Sequence, residues 1–456
     1  MNNNGNQTDE LFPMPLSSME MLHLFDSSDE FPNEIFGRLR FRGKLDREAA
    51  IEAVQLTIKR QLILRVKIDQ SKKQFNWRLD DSDDPPIVFQ DIAETTVPPL
   101  DLNLGFPWRV IFRTGDDETE IWFQAAHALF DGLGAIQLIT NWSNFYHQQI
   151  SQGLQSSKKP KRLHRLDYAL LTKRNCLGLL RRSYLINLWK QPIGLLGALK
   201  FINRRPAQAF SETSARPWNN ETQPCVVSRW IDAGTTLGLN DQAKNLSVRL
   251  NSIFVGQLMK TLETFASQNP DRDSEWIRVV HPMSFRTMAD RKMPACNRTT
   301  IVQIDRRKDD FDNEWFFKLL DREIAVIHNW ELHKLFLLAI RAMSMFPRMM
   351  KRSVDSDKCR GTAVYANLGE PMGRLGFPVE NEELKIGDLN LKDFDFVGPV
   401  RSKTPVNFSI QKHLTRYRIS LHFDARLLDR AQADQLMDCY QTSLTQFANF
   451  PQLDEA

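Results

Sequence analysis

The chain has 456 residues, of which 42% are hydrophobic, and its formal net charge is +4. This length favours two domains of ordinary size or one large domain, and the apolar fraction is enough to bury a sizeable core. So weak a net charge does not indicate nucleic-acid binding, because nucleic-acid-binding domains carry a strong basic excess.

The amino terminus and the cysteines bear on the compartment. The first ten residues are polar, and no window holds about 18 consecutive apolar residues, so neither a secretory signal nor a transmembrane helix is expected. The five cysteines are scattered without paired spacing, which favours free thiols over a disulfide framework or a zinc site. We therefore expect a cytoplasmic protein with no bound metal.

The first part of the chain predicts an α/β lobe. Residues 1–10 are expected to form a disordered tail. A strand is predicted for Ile35–Gly43, and a helix that begins near Leu45 keeps its apolar positions at a period of 3.6 residues. We assign residues 11–175 to this N-terminal lobe.

The most informative stretch begins where a predicted strand, Thr119–Ala125, ends. His127 stands at that end, Asp131 and Gly132 follow, and a helix is predicted for residues 134–149. A sharp turn between a strand and a helix can direct one side chain into a cleft, and histidine, with an unperturbed pKa of about 6.5, is the usual general base. Asp131 is spaced to anchor the turn, and Gly132 permits backbone angles that other residues resist. The alternative is a structural histidine beside an aspartate that only caps the helix.

A basic and partly apolar segment separates the two halves of the chain, and we assign residues 176–220 to an interdomain connection. A C-terminal lobe, residues 221–456, is predicted to follow. It begins with a strand at Cys225–Ile231 and continues with helices at Leu237–Asn245 and Ser252–Ser267.

The two halves show a faint internal echo at an offset of 298 residues. Residues 121–138 and 419–436 both read as a strand, a turn that contains aspartate, and a helix that contains Gln-Leu. Asp131 corresponds to Asp429, whereas the position of the histidine corresponds to Ala425. Chance can also match one strand–turn–helix segment to another, so the sequence alone leaves open whether the two lobes are related.

Further polar side chains lie at the ends of predicted strands. Arg286 closes the segment His-Pro-Met-Ser-Phe-Arg, Asn367 follows Val-Tyr-Ala, and Asn407 and Ser409 lie on one predicted strand. A developing oxyanion needs hydrogen-bond donors directed at it. We therefore take Asn407, Ser409 and Asn367 as candidate oxyanion or substrate-binding residues. The alternative is that they are ordinary polar residues of a strand.

The segment His127-Ala-Leu-Phe-Asp131-Gly132 resembles the His-x-x-x-Asp-Gly signature of the CoA-dependent acyltransferase superfamily. That superfamily includes chloramphenicol acetyltransferase, plant BAHD acyltransferases, condensation domains of nonribosomal peptide synthetases, and bacterial wax ester synthase/diacylglycerol acyltransferases. Residues 99–101 and 106–109 resemble motifs of the wax ester synthase group. Among the positions that depart from family patterns, Ala126 and Gln61 each replace a histidine, and Ala366 replaces a serine.

The resemblance implies an α/β fold of two chloramphenicol-acetyltransferase-like lobes, each a mixed β-sheet with flanking helices, and an active-site tunnel between them. It implies that His127 acts as a general base directly on the acceptor, with no acyl-enzyme. It also implies that Asp131, beside Gly132, pairs with an arginine, for which Arg65 and Arg286 are the candidates.

The same resemblance implies the substrates. The donor is an acyl-CoA or an acyl-carrier-protein thioester, no cofactor is tightly bound, and the acceptor is a hydroxyl or an amine on a lipid-like molecule. We expect a monomer. Two alternatives stay open: a condensation-like enzyme that acts on carrier-bound acyl chains, and a noncatalytic member that binds acyl carriers or lipid surfaces. The substitutions at Ala126, Gln61 and Ala366 keep the second alternative open.

Two segments, residues 176–206 and 334–352, combine apolar and basic residues. Basic amphipathic helices can lie in the surface of an anionic membrane, which would add a peripheral membrane contact to a cytoplasmic protein. The alternative, which we favour, is that the apolar faces of both segments are buried against the rest of the protein.

Overall fold

The computed structural model describes residues 11–70, 74–80, 82, 84–103, 105–151, 163–211, 224–355, 358–373, 377–380 and 383–449. The predicted tail, residues 1–10, lies outside the described residues. The strands are, in chain order, β1 (Met14–Pro15), β2 (Glu34–Arg42), β3 (Val66–Asp69), β4 (Asn76–Leu79), β5 (Ile87–Asp91), β6 (Trp108–Thr114), β7 (Glu118–Ala126), β8 (Val226–Ile231), β9 (Ile277–Ser284), β10 (Thr299–Arg306), β11 (Ala363–Gly369), β12 (Val379–Glu380), β13 (Glu383–Ile386), β14 (Leu389–Val397), β15 (Val406–His413) and β16 (Arg416–Phe423). The α-helices are α1 (Ser18–Phe25), α2 (Arg47–Arg60), α3 (Gly132–Ser151), α4 (Arg182–Ile186), α5 (Gln191–Asn203), α6 (Ala233–Asn245), α7 (Leu250–Gln268), α8 (Lys308–Phe311), α9 (Phe316–Asn329), α10 (His333–Ser344), α11 (Pro347–Val354) and α12 (Arg430–Ala448).

The first lobe is built on a mixed sheet with the strand order β12–β13–β14–β2–β7–β6–β5. Strand β5 runs parallel to β6, and the other neighbouring strands are antiparallel. Leu39 of β2 and Ile121 of β7 are fully buried in one apolar core with Ile139 and Trp142 of α3. The predicted strands and the predicted helix on either side of His127 are therefore confirmed.

The second lobe is built on a mixed sheet with the strand order β10–β9–β11–β15–β16–β8. Strand β11 runs parallel to both of its neighbours. Helices α7 and α12 pack together over a core that contains Phe254, Leu258 and Phe408, and the Tyr440 hydroxyl of α12 donates to the Phe254 carbonyl at 2.9 Å. The predicted α/β architecture of two lobes, each a mixed sheet with helices, is confirmed.

Strands β13 and β14 come from the second half of the chain but belong to the first sheet. Strand β14 pairs antiparallel with β2, and its Leu391, Phe394 and Phe396 are buried in the core of the first lobe. The prediction that residues 221–456 form one C-terminal lobe is therefore wrong for this segment. An alternating apolar pattern predicts a strand, but tertiary contacts decide which sheet the strand joins.

One buried carboxylate connects the two sheets. Asp395 of β14 binds Arg38 of β2 in the first sheet. From the second sheet it accepts hydrogen bonds from the hydroxyls of Ser228 (2.5 Å) and Ser420 (2.7 Å) and from Nε of Arg418 (3.3 Å). Burial alone would raise the pKa of Asp395, but the charges of Arg38 and Arg418 and the two hydroxyl donors lower it to about 2. A buried ion pair is stable when its remaining lone pairs are satisfied in this way, so the network fixes the lobes against each other.

The sequence similarity between residues 121–138 and 419–436 has a structural counterpart. Strand β7 leads to α3, and β16 leads to α12, with an aspartate in each turn. The Asp131 carboxylate accepts from the Gly134 N–H at 2.9 Å, and the Asp429 carboxylate accepts from the Gln432 N–H at 2.8 Å. Each aspartate thus caps its helix through the residue three positions later.

Candidate active site

His127 lies directly after β7, in the turn that precedes α3. Its backbone N–H donates to the Asn33 carbonyl of the first lobe at 2.8 Å. Its carbonyl accepts from Nδ2 of Asn297, which lies just before β10 of the second lobe, at 2.9 Å. Leu129 and Phe130 in the same turn are buried. The backbone that carries the imidazole is therefore held by both lobes.

Asp131 is buried, and both of its carboxylate oxygens are engaged. Oδ1 caps α3. Oδ2 accepts from Nη1 of Arg286 at 2.6 Å, from the Arg298 N–H at 2.8 Å and from the Thr299 hydroxyl at 2.9 Å. Burial alone would raise the pKa of Asp131, but the Arg286 charge and the hydrogen bonds lower it. A charged carboxylate with this many donors anchors the turn and is not free to act as a second base.

Arg286 is the arginine that lies beside Asp131. Its Nη2 also donates to the Cys296 carbonyl at 2.6 Å. Burial alone would lower the pKa of Arg286, but the Asp131 charge raises it, so the pair is ionised. Arg65 ends a 3-10 turn, and its carbonyl accepts from the Asp80 N–H. Of the two candidate arginines, Arg286 is the one whose guanidinium binds Asp131.

The glycines of the turn are explained by close packing. A Cβ atom on Gly132 would lie 3.0 Å from Leu368, and one on Gly134 would lie 2.7 Å from Cβ of Phe130 and 3.2 Å from the Cys296 carbonyl oxygen. Neither glycine has a positive φ angle. The expectation that Gly132 supplies unusual backbone angles is therefore wrong, because what the site requires is space beside the neighbouring side chains.

The imidazole of His127 is neutral at pH 7. Burial lowers the pKa of His127 to about 4, although nearby backbone carbonyls and the Asp131 charge act in the opposite direction. Nδ1 is buried and has no hydrogen-bond partner among the described residues. The residue as a whole is half-buried, so part of its surface remains exposed. A neutral imidazole can accept a proton, but one with so low a pKa is a weak base.

A second histidine, which the sequence analysis missed, lies against His127. The rings of His23 and His127 stack with their centroids 3.9 Å apart and their planes at 12°. Burial lowers the pKa of His23 well below its usual range, and the proximity of His127 lowers it further. Because two stacked imidazoles repel each other when both are protonated, the pair favours neutral rings.

The capping box of α1, formed by Ser17 and Glu20, is a sequence signal for the helix that carries His23. The stacking, however, joins residues more than a hundred positions apart. No local pattern indicates such a contact.

Asn407 and Ser409 have donors that are already engaged. Nδ2 of Asn407 donates to the Pro399 carbonyl at 3.0 Å, and the Ser409 hydroxyl donates to the Phe396 carbonyl. Both side chains are buried on β15 and bind the end of β14 and the residues that follow it. They connect the two sheets, so we do not retain them as oxyanion donors.

Asn367 is exposed at the end of β11, where its Nδ2 donates to Oδ1 of Asn251 at 2.8 Å. Its own Oδ1 accepts from the Gly369 N–H at 2.9 Å. These contacts shape the end of the strand and do not include His127.

Neither a metal centre nor a membrane span is found in the described part of the chain. No group of three or more His, Cys, Asp or Glu side chains is placed to hold a metal ion there. No helix within it is long and apolar enough to cross a membrane.

Comparison with known proteins finds similar structures but no similar family profile or curated protein. The starter condensation domain of rhizomide synthetase RzmA, solved with C8-CoA and Leu-SNAC, has a TM-score of 0.66 and 12% identity, covering 98% of this chain and 97% of that domain. The first condensation domain of the CDA synthetase has a TM-score of 0.66 and 12% identity, covering 96% of each chain. Polyketide synthase associated protein 5 from Mycobacterium tuberculosis has a TM-score of 0.63 and 14% identity, covering 95% of this chain and 98% of that protein.

The chain also resembles one part of a larger protein. It spans 33% of a four-domain nonribosomal peptide synthetase, holo-AB3403, with a TM-score of 0.65 and 15% identity over 96% of this chain. At such low identity, the likeness shows the fold and leaves the activity to be argued from the site. The protein has the two-lobed fold of condensation domains.

Proposed function

We propose that the protein transfers an acyl group from a CoA or carrier-protein thioester to a hydroxyl or amine acceptor, with His127 as the general base. The observation that carries the proposal is a neutral, half-buried imidazole on a turn that both lobes hold. A neutral hydroxyl or amine is a poor nucleophile, and a base that removes its proton during attack accelerates the reaction roughly 10²–10⁴-fold. The fold shared with condensation domains, one of them solved with C8-CoA, supports this reaction class.

In the proposed reaction, Nε2 of His127 takes the acceptor proton while the acceptor oxygen or nitrogen bonds to the thioester carbonyl carbon. The C–S bond then breaks, and the imidazolium returns the proton to the departing thiolate. The products are an ester or amide and a free thiol, with His127 neutral again. Because burial makes the imidazolium a strong acid, the low pKa of His127 favours this proton return.

Asp131 and Arg286 would act as positioning residues in this reaction. Their ion pair joins the turn after β7 to the end of β9, and Asp131 also begins α3. A displacement of about 1 Å at a reacting group can cost roughly 10²-fold in rate, so the rigidity of this turn matters to the base.

We propose that the acceptor is lipid-like, such as a long-chain alcohol or a diacylglycerol. The support is the resemblance of residues 99–101 and 106–109 to motifs of the wax ester synthase group. An amine acceptor is the other member of the same reaction class, and the experiment below includes it.

The test is thiol release by the purified protein with a panel of acyl-CoA donors and with alcohol, diacylglycerol and amine acceptors. We expect release that depends on the acceptor and that falls by at least about 100-fold in His127→Ala. His328→Ala, which removes an exposed histidine of α9, is the matched control and should retain full activity. Equal activity in wild type and His127→Ala would remove His127 from the mechanism.

A second candidate is a condensation-like enzyme whose donor is bound to a carrier protein. The likeness to one part of a four-domain nonribosomal peptide synthetase favours it. No release from any acyl-CoA, followed by release from an acylated carrier protein, would support this reading. A noncatalytic acyl-carrier or lipid-binding protein would show no release with either donor, and its His127→Ala variant would keep the wild-type affinity for its partner.

A further inference from the structure

Helices α4 and α5, with the turn Leu188–Lys190 between them, present an exposed apolar surface. Ten of the eighteen exposed large apolar side chains found among the described residues lie between residues 180 and 202. The expectation that residues 176–206 bury their apolar face is therefore wrong for this part. We call it the basic–apolar surface, and its apolar members are Leu180, Leu185, Ile186, Leu188, Trp189, Ile193, Leu195, Leu196, Leu199 and Ile202.

Helix α5, which carries much of this surface, is held to the second lobe by specific contacts. A Cβ atom on Gly194 would lie only 2.4 Å from Leu335 of α10, so the backbone of α5 approaches α10 closely. Nε2 of Gln191 donates to the Trp330 carbonyl at 3.1 Å, and the Phe201 carbonyl accepts from Arg278 at 3.3 Å. The apolar side chains thus point outward from an anchored helix.

The second apolar and basic segment, residues 334–352, is buried only in part. Leu337, Ile340 and Met350 pack in a small core with α1. Met345, Phe346 and Met349 remain exposed. Since α10 contacts both α5 and α11, these side chains belong to the same group of helices as the basic–apolar surface.

The charged side chains of these two segments, Lys and Arg, are all positive. Residues 176–206 contain six Lys and Arg, and residues 332–354 contain five, with no Asp or Glu in either range. Because the whole chain has a net charge of only +4, the remainder is net acidic. Arg181, Arg182, Lys200 and Arg205 are exposed, and none of them forms an ion pair with another described residue.

We propose that the basic–apolar surface docks the protein on an anionic lipid bilayer. Exposed Leu, Ile and Trp beside unpaired cations match a membrane interface, where apolar groups enter the acyl boundary and cations meet lipid phosphates. Helix α5 has 13 residues and is too short to cross the hydrocarbon core, so it lies in the plane of the interface. A second copy of the chain is disfavoured as the occupant, because two such basic surfaces repel each other.

The docked surface is connected to the proposed site through α1. Helix α10 contacts α1 as well as α5, and the hydroxyls of Ser344 at the end of α10 and Ser18 of α1 lie 3.0 Å apart. Helix α1 carries His23, which stacks on His127. A lipid-like acceptor would therefore approach from the membrane side, a step that rests on the proposed function, whereas docking itself does not.

Docking is tested by co-sedimentation of the full chain with two kinds of vesicle. One is pure phosphatidylcholine, and the other also contains about 30% phosphatidylglycerol, an anionic lipid. We expect binding to the anionic vesicles that weakens as salt is raised. The apolar variant L196E/L199E should lose binding, whereas L237E/L319E, which changes two leucines of similar exposure on other helices, should retain it.

The charge variant R182Q/K200Q/R205Q should bind about 100-fold more weakly, since each cation near an anionic surface contributes roughly fivefold. Its control, K44Q/K59Q/R78Q, removes three exposed cations of the first lobe and should bind as wild type does. Failure of the wild type to bind anionic vesicles would overturn the proposal, as would equal binding by L196E/L199E. A dimer in light scattering that L196E/L199E dissociates, without vesicle binding, would identify a second copy as the occupant and would overturn it too.

Discussion

The contrast between Asp131 and Asp429 gives a sharp test of how the turn after β7 is built. Both aspartates cap the first turn of a helix through the residue three positions later. Asp131 differs because it is buried and its second oxygen accepts three further donors, one of them charged. Replacement of each aspartate by asparagine keeps the cap but removes the negative charge.

We expect Asp131→Asn to lower the free energy of unfolding by about 3 kcal/mol, the lower end of the cost of breaking a buried ion pair. The lower end applies because the Arg286 side chain is 20% exposed and keeps its bond to the Cys296 carbonyl. Asp429→Asn should cost under about 0.5 kcal/mol, since asparagine and aspartate cap helices about equally well.

The measurement is equilibrium urea unfolding at pH 7.5, followed by tryptophan fluorescence, with the midpoint and the slope m compared among wild type and both variants. An unchanged slope assigns the shift of the midpoint to stability. An equal loss in the two variants, or no loss in Asp131→Asn, would refute the reasoning, because the ion pair across the lobes would then contribute no more than an ordinary helix cap.

Three further outcomes are expected. His23→Ala opens space beside the stacked ring of His127 and admits water, so the pKa of His127 should rise from about 4 toward its usual value, which the acid limb of the pH–rate profile reports. An acid limb at the same pH as in the wild type would mean that His23 does not control the solvation of His127. Stability should fall as pH decreases from about 6.5 to 4, because the unfolded chain takes up protons on both histidines that the folded protein excludes; His127→Phe should reduce this slope in urea midpoints measured at pH 7 and 5. Gly134→Ala should destabilise by about 1–3 kcal/mol through its 2.7 Å contact, whereas Gly197→Ala, which meets nothing within 4 Å on α5, should be neutral or stabilise by up to about 1 kcal/mol. Equal thermal midpoints for these two variants would contradict the packing explanation for Gly134.

The strand, turn and helix around His127 could be predicted from the sequence because the signals are local. The alternation of apolar and polar residues predicts β7. The spacing of Asp131 from the start of α3 follows from the hydrogen bond that caps a helix. The repeated position of Asp429 was visible for the same reason. Each of these inferences depends on residues within a few positions of one another.

The partners of these local features could not be predicted, since they come from distant parts of the chain. Two arginines were equally suitable for Asp131, and the choice of Arg286 depends on how β9 lies against the turn. From the sequence, Asn407 and Ser409 are polar strand residues that could lie near a site. In the structure, β14 crosses to the first sheet, and their donors bind the carbonyls of Phe396 and Pro399. His23 was missed because ring stacking has no sequence periodicity.

Residues of both lobes hold His127 in place, and this has a consequence for the proposed reaction. Its carbonyl is bound by Asn297 and its neighbouring aspartate by Arg286, both of the second lobe, while Asn33 and His23 hold it from the first. A rotation of one lobe against the other would stretch these contacts and would move the base relative to a substrate held between the sheets. The network around Asp395 opposes such a rotation. Because a displacement of about 1 Å at a reacting group can cost roughly 10²-fold in rate, we infer that the interlobe contacts position the base in the proposed reaction.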